Sequence, residues 1–173
     1  GVCDGEQGKG RLPHDHNQDY DPDETPLYET TAAVRAYIEQ YAVGLGFDFH
    51  SPWHLGEKND QIFLVRKALQ PMERTDRFSA LLMQSVMPQA MHYDSANDMP
   101  ANFDWNQDTA PTFVSYILKK PWADLALTLE TCYFGEDDNR FTQDKGIAFG
   151  HCFAEALRKY LAGESPSAEP ERG

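Results

Sequence analysis

Apolar residues recur along the chain in two periods, and the changes between them mark the elements. Residues 1–27 are rich in Gly, Asp, Pro and His and carry neither period, which predicts loop. From Tyr28 to about Gly44, the residues Val34, Tyr37, Ile38, Tyr41 and Leu45 recur at helical spacing, with Glu29, Arg35, Glu39 and Gln40 between them. Gly44 and Gly46 are expected to stop that helix. FDFHS (47–51) alternates as a short strand does, and QIFLV (61–65) reads as a second, with HLGEKND as the turn between them. Residues 72–88 read as a helix with Phe78, Leu81, Leu82, Ser85 and Val86 on one face. Residues 92–112 are a long polar loop with aromatics, and loops of that length in compact domains are usually functional or disordered. Residues 113–118 are expected to be helical, 123–133 to be a strand, and 144–163 to be a final helix with Ile147, Phe149, Phe153, Leu157, Tyr160 and Leu161 apolar. ESPSAEPERG (164–173) is a disordered tail by composition. Strands alternating with helices predict the α/β class in one domain, residues 1–163.

Composition narrows the partners. The 173 residues carry a net charge of −13 with no Lys/Arg cluster to neutralise phosphates, which argues against nucleic acid. No apolar run approaches ~18 residues, so no membrane span is expected. Cys3, Cys132 and Cys152 form neither a disulfide framework nor a thiolate metal site. The chain opens on GVCDGEQGKG, a loop-like stretch without a start Met, which reads as a mature product, a trimmed form or a fragment. Secreted, periplasmic and cytoplasmic settings all stay open.

The chemistry concentrates in a few polar residues. Glu130 sits at the end of the apolar run LALTLE, and a carboxylate costs several kcal/mol to bury unless something pairs it or its pKa moves. It therefore either faces solvent at a strand end or serves a site. His50 lies at the exit of a predicted strand, where open α/β sheets place ligands. It reads either as a half-buried polar cap or as a metal ligand. His54 is read as a loop histidine, His151 as packed on the last helix, and His92 as uninformative.

The order of these pieces resembles a family. GVCDGEQGKGRLPHDHNQDYD, then a helix, DFHSPWH, LTLET and a final helix closed by GHCFAEALRKYL is similar to the zinc carboxypeptidases of the pancreatic type. The longer run DFHSPWHLGEKNDQIFLV looks like the bacterial branch. The resemblance implies a phosphorylase/hydrolase-like mixed sheet with helices on both faces. It makes His50 the third zinc ligand. It makes Glu130 the general base on the zinc-bound water and then the proton donor to the leaving amine. Asn17 matches the Asn of the family's Asn-Arg pair, which grips the substrate's terminal carboxylate. The family's substrate-capping Tyr falls on Tyr93 or Tyr116, and Tyr116 is favoured because it leads into the Glu130 strand.

Two departures follow. Gln18 stands where the family has Arg, and a neutral amide cannot give a bidentate charge-assisted grip, so Arg11 is the alternative cation. The family's first two zinc ligands come from an HxxE segment upstream of the opening loop, and this sequence starts at that loop. The chain is therefore expected to be the incomplete, C-terminal half of a catalytic domain whose longer parent holds one zinc ion. Alone it is expected to bind zinc weakly or not at all and to be inactive. The leading expectation is a zinc-dependent hydrolase cleaving a C-terminal or related amide, with the N-terminal half of the domain as partner. The alternatives are a deacylase of small acyl-amino acids or cell-wall peptides on the same fold, and a non-catalytic binding module.

Overall fold

The computed structural model describes residues 15–52, 57–136 and 139–167. Among them are three strands, β1 (Leu45–His50), β2 (Phe63–Val65) and β3 (Leu125–Glu130). The helices are α1 (Glu29–Tyr41), α2 (Met72–Ser85), α3 (Phe113–Leu118) and α4 (Gln143–Leu161). The sheet order is β1-β3-β2, with β1 parallel and β2 antiparallel to β3. The α/β class is thus as the alternation of elements implied, and the sheet is mixed.

All six residues of β3 are buried, as expected of a central strand covered on both faces. Period-2 alternation sends Leu125, Leu127 and Leu129 to one face, where they pack with Phe78, Leu81 and Leu82 of α2 and Phe149, Phe153 and Tyr160 of α4. Phe47 joins them, its ring 5.0 Å from that of Phe153. Ala126 faces the other way, into a smaller core with Val114, Tyr116 and Ile117 of α3 and Ile38 of α1.

α2 buries Phe78, Leu81, Leu82 and Ser85, the face its spacing predicts. α1 does not follow its pattern: Val34, Tyr37 and Tyr41 are exposed, and Thr31 and Ile38 are what it buries. Its helical period is real, but most of the apolar stripe is turned to solvent, where Tyr37 and Tyr41 lie ring to ring at 4.6 Å. β1 starts at Leu45, two residues before the expected Phe47, because Gly46 is a strand residue. A Cβ there would stand 2.3 Å from Ile117 Cδ1, so the glycine lets α3 sit directly on the sheet. β3 ends at Glu130 instead of continuing to Tyr133, which is exposed. Only part of the expected tail is described, and that part is tied down. Gln84 Nε2 donates to the Ser167 carbonyl at 2.8 Å and its Oε1 accepts from Ser167 N at 3.1 Å.

The long loop after α2 is ordered by one carboxylate. Asp98, buried, accepts from Leu64 N at 3.0 Å, from the Tyr93 hydroxyl at 2.9 Å and from Arg66 Nη2 at 3.0 Å. Ser79 of α2 adds a bond at 3.2 Å. Bridges from Tyr93 to Ile62 and from Met99 to Val65 lay the loop along the free side of β2. Burial pushes the Asp98 carboxyl up, while its donors pull it down. Asp98→Ala would leave a buried amide, a phenol and a guanidinium without their acceptor. It should cost about 3 kcal/mol in urea unfolding, and Tyr93→Phe about 1 kcal/mol. Equal midpoints for the two variants would show that Asp98 is not the anchor.

Candidate functional site

His50 closes β1 and Glu130 closes β3, and the parallel register makes them direct neighbours. Residues in register on parallel strands share a face about 4.8 Å apart, so both side chains leave the sheet on the α3 side, opposite the aromatic core. Glu130 is 3 % exposed and lines a cavity of about 250 Å³. Asp15, Asn17, Gln18, His50 and Thr128 line the same cavity. Four of the five residues expected at the site are therefore together: Asn17, Gln18, His50 and Glu130.

Tyr116 is elsewhere. It is buried in the smaller core, its hydroxyl donates to Glu39 Oε1 at 2.6 Å, and its ring lies beneath the cations of Lys120 and Arg35. That burial is the physical reason Tyr116 does not line the cavity and cannot cap a substrate from where it stands. Tyr93 is held in the Asp98 network instead. Among the described residues the aromatic side chain at the cavity is Trp105, from the long loop. His54, His14, Arg11 and Cys3 lie outside the described residues. His151 is exposed on α4, not packed, and His92 is exposed.

Local structure fixes Asn17. It sits in a short 3₁₀ turn at His16–Gln18 whose cap, Asp15, accepts from Asn17 N at 3.0 Å. Its Oδ1 accepts from Phe113 N, at the start of α3, at 3.1 Å. That bond turns Nδ2 toward His50 Nε2, 3.3 Å away. Asp48 Oδ1 lies 3.0 Å from the same nitrogen. A proton on Nε2 is donated to Asp48; without it, Nε2 accepts from Asn17. The hydrogen bond to Asp48 raises the pKa of His50 above its ordinary 6.5, against the pull of burial, and the charges of Asp48, Glu130 and Asp15 add to the rise.

The donor chemistry suits zinc at His50, an imidazole with three carboxylates acting on it. Among the described residues no three His, Cys, Asp or Glu side chains form a group able to hold a metal ion.

Several residues of the cavity were not singled out from the sequence: Lys67, Trp105, Asn106 and Thr112. Lys67 had a legible signal, because Phe63, Val65 and Lys67 continue a period of two onto the Glu130 side of the sheet. Asn106 and Trp105 had none beyond membership of the long loop. No family model matches the chain, and no curated protein matches it significantly.

In the metal-free chain Asp48→Asn should bring the His50 pKa, read by NMR titration of its ring, down toward 6.5. The sign for stability follows from the raised folded value. The pair's contribution is complete below the unfolded pKa of about 6.5 and is lost as pH rises through the folded one. An unchanged titration in Asp48→Asn would show that Asp48 does not set the histidine.

Proposed function

We propose that the chain carries the water-activating part of a zinc-dependent amide hydrolase of the carboxypeptidase type. One observation supports the reading above the rest: His50 and Glu130 are register partners at the ends of two parallel strands, on one wall of a cavity that also holds Asn17 and Gln18. Zinc, when bound, lowers the pKa of its water to about 7 and polarises the scissile carbonyl, and His50 is the donor this chain offers it. Glu130, one strand over, takes the proton of the attacking water and returns it to the leaving amine. Asn17, fixed at both ends of its amide, orients the substrate.

A second reading, deacylation of small acyl-amino acids, is favoured by Gln18. Its amide lines the cavity where the resemblance calls for a guanidinium, so it gives the substrate no charge.

In the zinc-loaded longer parent Glu130→Gln should lower kcat about 10²–10⁴-fold. Zinc content by atomic absorption should stay the same, because Glu130 acts on water and does not ligate the ion. Turnover unchanged in that variant would remove Glu130 as the base. Gln18→Arg should lower KM roughly fivefold for substrates with a free terminal carboxylate, since a charge-assisted bond exceeds a neutral one by about 1 kcal/mol. An unchanged or higher KM would show that position 18 does not meet the substrate's carboxylate.

A further inference from the structure

With Gln18 neutral, the cavity has another cation available to it. Lys67 lines the wall and is 7 % exposed. One N–H of its ammonium donates to the Gln107 carbonyl at 3.1 Å, and Asp108 is the carboxylate acting on it. Among the described residues the two remaining N–H donors have no protein acceptor within hydrogen-bond distance. A buried ammonium is costly unless compensated, and one carbonyl with a neighbouring carboxylate compensates it in part.

A second polar group in the same wall is also open. Asn106 is 1 % exposed and lines the cavity. Its Nδ2 donates to two carbonyls, Arg66 at 2.7 Å and Pro100 at 2.9 Å. Both partners are acceptors, so the amide orientation is determined, and Oδ1 is a buried acceptor without a donor. Lys67, with spare donors, and Asn106, whose buried Oδ1 lacks one, thus both belong to the cavity wall, as does Glu130.

We propose that Lys67 is the specificity-determining residue of this cavity, taking the carboxylate of an N-acyl amino acid whose amide N–H donates to Asn106 Oδ1. An N-acyl amino acid carries both complementary groups on one carbon, and the C–N bond of its acyl amide is the bond an amide hydrolase cuts. A cavity of about 250 Å³ suits a small terminal residue. Lys67 here does with a point charge what Gln18 cannot do with an amide. The substrate class rests on the hydrolase reading; the binding assignment does not.

The test is binding, measured by calorimetry on the unaltered chain with N-acetylalanine and its neutral amide as probes. The acid should bind at least about tenfold more tightly than the amide. Lys67→Met should abolish the preference and Lys67→Arg should keep it. Acetyl-trialanine binding as well as N-acetylalanine identifies a peptide terminus as the source of the carboxylate. Binding confined to N-acetylalanine identifies a free acyl-amino acid. Equal binding of acid and amide, no binding of either, or a preference that survives Lys67→Met in a folded variant overturns the proposal. Should Lys67→Met fail to fold, Lys67→Gln takes its place, and the acid–amide comparison in the unaltered chain still decides. Failure of the hydrolase reading is seen separately, as full turnover in Glu130→Gln with the acid preference intact.

Discussion

In a parallel pair each residue lies beside its register partner on the same face, and the pairing of Leu45 with Leu125 fixes every later pair up to His50 with Glu130. A slip of one position would turn Glu130 into the apolar core that holds Phe78 and Phe153, at the cost of burying a carboxylate there. The same slip would drive Leu129 into the polar cavity. Register is therefore over-determined by burial on both faces at once. Gly46 tightens it further, because only a residue without Cβ lets Ile117 press against β1 at that position. The site is a by-product of the packing: once Leu125, Leu127 and Leu129 are seated, Thr128 and Glu130 can point only toward α3.

Sequence patterning carried the parts of this arrangement that local periodicity encodes. Phe78, Leu81 and Leu82 mark their helix face without ambiguity because all three are buried, and the run LALTLE reads as a central strand because all of it is. It misled at α1, whose Val34, Tyr37 and Tyr41 have helical spacing but lie exposed. Periodicity reports an apolar stripe, not what covers it. It also misplaced the start of β1, since Gly46 has the same letter whether it ends a helix or admits a neighbour. At the site, His50, Glu130, Asn17 and Gln18 were legible through ordered short motifs. Tyr116 was not, because proximity in sequence to the Glu130 strand says nothing about which face of α3 it occupies. Lys67 and Asn106 enter through a turn and a long loop, where position depends on long-range bonds such as those to Asp98.

Charge sets a further condition on what the cavity accepts. A protein with a net charge of −13 repels anions at a distance, and Asp15 and Glu130 extend that repulsion into the cavity itself. Discrimination must then come from close contact, where a desolvated ammonium acts in a low effective dielectric and the remote field is screened within about 8–10 Å by salt. His50 behaves as the complement: its raised pKa reflects the same concentration of carboxylates.

The loop that delivers Trp105 and Asn106 to the cavity also lies along β2 through Met99, and Asp98 fastens it there. β2 is a three-residue edge strand of apolar residues, the kind of edge that invites pairing with another chain when bare. The loop therefore serves as an edge guard as well as a wall. Its detachment removes the cavity and exposes a template for aggregation in the same event, so loss of ligand binding and onset of self-association belong to one cooperative opening unit.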